Sequence, residues 1–340
     1  MRGLPMKTFT RDFFNESNFI IRKKEYNFLP EHQSDEIWHI CYNVNDNYIP
    51  IMGTSVISII ENNPQKNFVI HIFSNDCTQD NAEKVEKLAE NEKCCCIIYY
   101  LDMNQFSDFH IKVKRFSYIT YGRLYFPKIL KNITKRYLYI DADAICVGDL
   151  NELFHYDLHG AAMGAVSEFP KDARYRSDFL KLKNHKYFND GIMVVDIDQW
   201  EKEQITEKCF SYQCEPPERF LGQSQDILNL VFDGTNYFIP YIYNVDSYDE
   251  AMGNTAKIVH WRGRRKPWQM VLSKYDEQWR AYNKNAPWET ITNILPIKKP
   301  ENYHDFKFWG QYQKKQKNWG GYLQGLFLYA YLRLRFKLRL

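Results

Sequence analysis

The chain has 340 residues, 44% of them hydrophobic and 16% aromatic, and a formal net charge of +3. That supplies enough apolar material for one large domain with appendages and excludes a disordered chain. Residues 311–340 hold seven Lys or Arg and no acid, which leaves the other 310 residues at −4, so the basic character belongs to the C-terminus.

Eight cysteines show no paired metal spacing, and Cys94, Cys95 and Cys96 are adjacent, which suits a reduced cytosolic protein better than a disulfide framework. The opening "MRGLPMKTFTRDFF" lacks an apolar signal-peptide core, and no stretch approaches the roughly 18 uninterrupted apolar residues that span a bilayer. A soluble or peripheral protein is expected.

Residues 1–33 read as a polar extension. Strands are then predicted at 37–41, 68–73, 96–101 and 137–140, alternating with helices near 50–62, 79–92 and 117–130. This α/β alternation predicts a Rossmann-like, mostly parallel sheet flanked by helices. Segments 160–166, 191–197 and 257–261 read as further strands of the same sheet. The stretches 167–189 and 235–256 between them read as long loops, and the residues after about 275 as a loosely attached tail. The sequence has no G-x-G-x-x-G after the first strand, no P-loop motif, no zinc spacing and no base-reading basic helix. Dinucleotide oxidoreductases, P-loop enzymes and nucleic-acid binders therefore lose their support.

Two constellations carry chemistry. "YLYIDADAICVGDL" (137–150) sets Asp141 and Asp143 two apart at a strand end, where an extended backbone would aim both carboxylates at one point and a divalent cation would relieve their repulsion. "HWRGRRKPW" (260–268) follows an apolar run with His260, a third ligand that favours Mn²⁺ over Ca²⁺. Gly263 there allows close backbone approach, and Lys266 offers a point charge for phosphate. Taken together they suit a metal-bound diphosphate, hence a nucleoside-diphosphate donor. Arg262, Arg264 and Arg265 are candidates for acceptor phosphates.

"YIDADAICVGDLNELF", "YFNDGIMVVDIDQW", "GQSQDILNLVF" and "HWRGRRKPW" together resemble the signature segments of glycosyltransferase family 8, in the same order and over roughly residues 36–340. The tail, with "NAPWET", is similar to that of the bacterial lipopolysaccharide core α-glucosyl- and α-galactosyltransferases. The resemblance implies a GT-A fold, a UDP-hexose donor (glucose or galactose), Mn²⁺ or Mg²⁺, and retention of anomeric configuration. It implies Asp141, Asp143 and His260 as metal ligands, and Gly263 and Lys266 at the diphosphate with Lys266 assisting its departure. Asn43, Asn45 and Asn47 would line the uridine pocket, and Arg123 and Ala142 would lie against the donor.

By the same resemblance, Asn189, Asp190 and Gly191 line the sugar site, Glu168 lies near it, and Gln225 and Asp226 lie near the anomeric carbon. Gln225 would then stabilise a developing oxocarbenium ion. Two positions depart from the family pattern: Asn45 replaces an acid, and Ser224 replaces the first acid of D-Q-D, which leaves the donor sugar open.

The implied organisation is a catalytic domain at 34–275 and a basic-aromatic helical extension at 276–340, which would rest on the cytoplasmic face of the inner membrane beside a lipid-linked oligosaccharide acceptor. Two alternatives are a haloacid-dehalogenase-like phosphatase using the D-x-D, and a non-catalytic sugar-nucleotide or envelope-binding protein, which Ser224 leaves open.

Overall fold

A computed structural model describes residues 9–30, 36–109, 111, 117–213, 215–263, 265–291 and 303–338. Its strands are β1 (Ile20–Asn27), β2 (Ile37–Val44), β3 (Asn67–Ser74), β4 (Cys95–Leu101), β5 (Arg136–Ile140), β6 (Ala144–Cys146), β7 (Met163–Ser167), β8 (Phe188–Asp196), β9 (Tyr237–Phe238), β10 (Val245–Asp246) and β11 (Ile258–His260). Among the described residues eight form a sheet in the order β1-β4-β3-β2-β5-β8-β7-β9, and the others form a small sheet β10-β11-β6. β2, β3, β4 and β5 run parallel, while β8 is antiparallel to both β5 and β7.

Side-chain alternation divides the core into two layers. Ile40, Tyr42, Leu138 and Ile140 face helices Ile49–Asn62 and Gln79–Glu92. Cys41, Tyr137 and Tyr139 face an aromatic cluster that includes Phe126, Trp200 and Phe210. β3 is buried at every residue, as its unbroken run "NFVIHIFS" requires in a sheet covered on both faces. The chain leaves β2 toward β3 on one side, while β5 lies on the other. That reversal opens a crevice at the carboxyl ends of β2 and β5, the place where open α/β sheets bind ligands.

Four expectations change. The helix near 117–130 is a 3₁₀ segment (Tyr118–Leu124) followed by a short α-helix (Phe126–Leu130), with Pro127 at its first turn. The loop 167–189 contains helix Pro170–Leu180. Segment 257–261 contributes β11 to the small sheet, because it pairs with β6 directly after the D-x-D turn. Residues 20–27, read as part of a polar extension, form an edge strand antiparallel to β4 and anchored by buried Phe14 and Phe19. Its run Arg22-Lys23-Lys24 discourages further strand addition at that edge.

The start of the tail is also tightly packed. Trp279 and Trp288 belong to the main core, and Asn283 Nδ2 donates to Thr54 Oγ1 at 3.0 Å. Beyond it, helices Tyr303–Lys315 and Trp319–Leu338 form a hairpin. Among the described residues no helix is long and apolar enough to cross a membrane. The described cysteines are all buried and free, and burial pushes the Cys77 thiol up to about 11 and those of Cys95 and Cys146 up to about 12. Cys214 lies outside the described residues.

Candidate active site

The crevice contains a cavity of about 670 Å³. Asp141 follows β5 and Asp143 precedes β6, but the stretch between them is a turn, closed by Ala144 N–H donating to Asp141 O at 3.0 Å, and not extended backbone. The carboxylates converge nevertheless, because β11 pairs with β6 and sets His260 opposite Ala144. One ligand atom each from Asp141, Asp143 and His260 lies within 4.8 Å of the others. His260 Nε2 is 3.2 Å from Asp143 Oδ1 and 3.7 Å from Asp141 Oδ2. Two carboxylate oxygens and an imidazole nitrogen directed at one point fit a hard or borderline divalent cation.

Each carboxylate also has its own protein cation. Asp141 Oδ1 accepts from Tyr139 Oη at 2.6 Å and from Arg123 Nη2 at 3.1 Å. Asp143 Oδ2 pairs with Lys266 Nζ, which also donates to the Trp261 carbonyl. Repulsion inside the D-x-D is thus relieved without a metal, and the argument for a cation rests on the three-atom convergence. Burial alone would push the Asp143 carboxyl up, but the Lys266 ammonium and His260 outweigh it and hold the group well below the usual carboxylate range.

Arg123 is buried, with its guanidinium 4.4 Å over the Tyr139 ring. It lines the cavity, as expected of a donor-contacting arginine, but its Nη groups serve Asp141 and Asp190, the latter at 2.9 Å. Burial raises the Asp190 carboxyl to about 6, against the opposing pull of Arg123.

On the other side of the cavity, Glu168 holds Arg262 at 2.6 Å and accepts from Asn189 Nδ2 at 3.2 Å. Gln225 Oε1 accepts from Asn189 Nδ2 at 3.2 Å and from Asp190 N–H at 3.3 Å. Ser224 Oγ donates to Asp190 Oδ2 at 3.0 Å. Where an acid would repel Asp190, the serine binds it.

Of the expected residues, Asn43, Asn45, Arg123, Asp141, Ala142, Asp143, Glu168, Asn189, Asp190, Gln225, His260, Gly263 and Lys266 all line the cavity. Gly191 lies behind it, where a Cβ would stand 2.8 Å from Asp141 Oδ2 and against the His260 ring, so this glycine makes room for those two side chains. Asn43 Oδ1 and Asn45 Oδ1 are buried with no partner in the protein, and the first faces Gly122, where a Cβ would stand 3.0 Å from it.

Other expectations are corrected. Asn47 is exposed and away from the cavity, which Tyr48 lines instead. Asp226 is fully buried, with both oxygens committed: Oδ1 to Arg176 Nη2 and Tyr187 Oη, each at 2.6 Å, and Oδ2 to Gly222 N–H at 2.7 Å. It shapes the turn before helix Ser224–Val231 and does not line the cavity. Arg265 is buried against Asp276 at 2.7 Å and Ser247 at 2.8 Å, so it is unavailable to an acceptor, and Arg264 lies outside the described residues.

Asp276 escaped the sequence reading. It is fully buried and also accepts from Trp261 Nε1 at 2.7 Å, while completing a capping box with Ser273. It thereby pins both ends of the loop that presents Arg262 and Gly263. Removing one partner of so buried an ion pair costs about 3–5 kcal/mol.

Residues 39–271 match the family model described as Glycosyl transferase family 8. The chain belongs to glycosyltransferase family 8. It is 25% identical to the lipopolysaccharide 1,2-glucosyltransferase of Escherichia coli (strain K12), over 79% of this chain and 85% of that one. It is 24% identical to the lipopolysaccharide 1,3-galactosyltransferase of Salmonella typhimurium, over 91% and 95%. Among solved structures, the galactosyltransferase LgtC in complex with donor and acceptor sugar analogs superposes with a TM-score of 0.66 at 19% identity, covering 74% of this chain and 97% of that one. The architecture is the GT-A fold of glycosyltransferases. Family membership removes the phosphatase alternative, which also required the D-x-D near the start of the domain, whereas here it follows the fifth strand.

Proposed function

We propose that this family 8 glycosyltransferase moves glucose or galactose from a UDP-sugar, with retention of configuration, to a lipopolysaccharide core or a related cell-surface oligosaccharide. The convergence of Asp141, Asp143 and His260 at one end of the cavity, with Lys266 beside them, carries this reading. The names of the E. coli and Salmonella relatives support the hexose and the acceptor class.

Asp141, Asp143 and His260 would hold Mn²⁺ or Mg²⁺, which when bound neutralises a diphosphate and the charge growing on a leaving UDP. Lys266 adds a second positive charge at that end. Asn43 and Asn45 line the cavity at the end of β2, where the uracil and ribose would lie. At the sugar end Glu168, Asn189 and Gln225 present a hydrogen-bonded wall. The Gln225 oxygen carries partial negative charge on that wall, but it already accepts two N–H groups, so its help to a cationic sugar is shared with them.

The test is turnover of UDP-glucose, UDP-galactose and their N-acetyl forms with Mn²⁺. One hexose should be consumed, and EDTA or Asp143→Ala should reduce turnover at least a hundredfold. Full activity in EDTA, or no consumption of any of the donors, rejects the assignment.

The terminal hairpin supports attachment to the cytoplasmic face of the inner membrane, where a lipid-linked acceptor would be met. Leu328 and Leu332 pack toward Phe306 and Trp309. Trp319, Leu323, Phe327, Tyr331, Leu334 and Leu338 recur at helical spacing on the opposite face and remain exposed, with Phe327 at 68%. Arg333, Arg335 and Lys337 flank this stripe, which suits an anionic lipid surface. Leu323→Asp with Phe327→Asp should abolish sedimentation with phosphatidylglycerol vesicles while soluble-donor hydrolysis persists; undiminished sedimentation contradicts the attachment.

A further inference from the structure

We propose that Asn244 is the positioning residue that selects which nitrogen His260 offers to the cation, acting as the middle of an amide relay that starts at the sugar side of the cavity. The inference rests on the cation site of the proposed function. Asn244 is neutral, fully buried, absent from the cavity wall and outside every motif considered above.

The relay can be read from its fixed ends. Asn189 Oδ1 accepts from the backbone N–H of Gly191 at 3.1 Å, a group that can only donate. Asn189 Nδ2 reaches a Glu168 carboxylate oxygen at 3.2 Å, and that carboxylate, held by Arg262, can only accept. The orientation of the Asn189 amide is therefore determined twice over. Asn244 approaches Asn189 Oδ1 at 2.9 Å and must present its NH₂ there. Its oxygen is then turned to His260 Nδ1, 3.1 Å away, so that ring nitrogen must carry a hydrogen. In the neutral imidazole Nε2 is left with its lone pair, directed at the oxygens of Asp143 and Asp141.

This selection works against the local field. Two carboxylates beside Nε2 favour a hydrogen on that nitrogen, and a neutral ring with its hydrogen there has no lone pair to give a metal. The Asn244 oxygen supplies the opposing acceptor at Nδ1, as the outer hydrogen-bond partner of a metal-ligating histidine does. The backbone holds it in place: β10 pairs with β11 with Asp246 opposite His260, and Asn244 N–H donates to Tyr241 O at 2.9 Å. Through Asn189, the same relay ties the histidine's ring state to Gln225 and Glu168 at the sugar end.

Two readouts test this without relying on turnover. The first is ¹⁵N NMR of the imidazoles in metal-free full-length protein, with the pH raised until the His260 ring is neutral and its signals assigned from the His260→Gln spectrum. The expected parent signal is the neutral tautomer with hydrogen on Nδ1; a neutral ring with hydrogen on Nε2 overturns the proposal. This reading needs no variant of Asn244 to fold. The second is Mn²⁺ binding followed by loss of the free-ion EPR signal. Asn244→Ala should weaken binding about 10–100-fold, whereas Asn244→Asp, which still accepts from Nδ1–H but loses the donor to Asn189 Oδ1, should weaken it less than Asn244→Ala does. Equal binding by the parent and a folded Asn244→Ala overturns the proposal. A parent that binds Mn²⁺ but consumes no sugar nucleotide refutes the proposed function and leaves the relay standing.

Discussion

The two ends of the cavity are built from different chemistry. The cation end uses ionic groups from compact segments, Asp141 and Asp143 with His260 and Lys266, and balances each acid with a base. The end we assign to the sugar has one ion pair, Glu168 with Arg262, and otherwise relies on neutral groups from separate segments, Asn189, Gln225 and Ser224, with Asn244 behind them, aligned by directed hydrogen bonds. Charge acts over distance and tolerates imprecise placement, whereas an amide works in only one of its two orientations. The difference predicts that the cation end will fail by loss of charge and the sugar end by loss of direction.

Asp190 stands where the two ends meet, between Arg123 and Ser224, and tests how separate they are. Its carboxyl is raised to about 6 from an ordinary value of 3.8, so the folded state holds that proton more tightly than the unfolded chain. Ionising it between about pH 4 and pH 6 therefore costs folding free energy, on the order of 3 kcal/mol. Asp190→Asn lacks this term. Its urea midpoint should move upward relative to the parent as pH rises through that window, and the gap should be constant above pH 7. A gap independent of pH would show that Arg123 fully offsets burial.

A smaller effect is expected at Gln223. Its φ of 54° and ψ of −122° are unfavourable for any residue with a Cβ, yet the position lines the cavity and its Nε2 is buried without a partner. Gln223→Gly should raise stability by about 1 kcal/mol in chemical denaturation, less what is lost with the 2.9 Å bond from Thr120 Oγ1 to Gln223 Oε1. Turnover should fall in the same variant. Unchanged stability would mean that the conformation carries no net strain.

How far the site could be read from sequence follows the same division. The D-x-D and H-x-x-G-x-x-K segments declare themselves through residue type and spacing, and the strand-helix alternation places most of the sheet. Asn244 and Asp276 gave no such signal. One was a neutral residue in a stretch read as a loop, and the other was one acid among many in a presumed tail. Asp226 misled for the opposite reason: it stands within a motif, but Arg176 and Tyr187, distant in sequence, consume its oxygens. β1 was missed because a charged edge strand lacks the apolar run that identifies central strands. The D-x-D turn was misread as extended because two carboxylates can converge from either geometry once His260 is set opposite by β11.

The terminal hairpin is held by an unusually close helix crossing. A Cβ on Gly325 would stand 2.7 Å from Gly310 Cα and 2.8 Å from Phe306 O. With backbone against backbone at that point, little side-chain volume fits between the helices. Leu328, Tyr329 and Leu332 fill the seam farther along, while Trp319, Leu323, Phe327 and Tyr331 stand on the outer side, making the hairpin a thin blade with an oily edge. An alanine at position 325 would wedge the blade open from within, and would alter the outer edge without touching any residue on it.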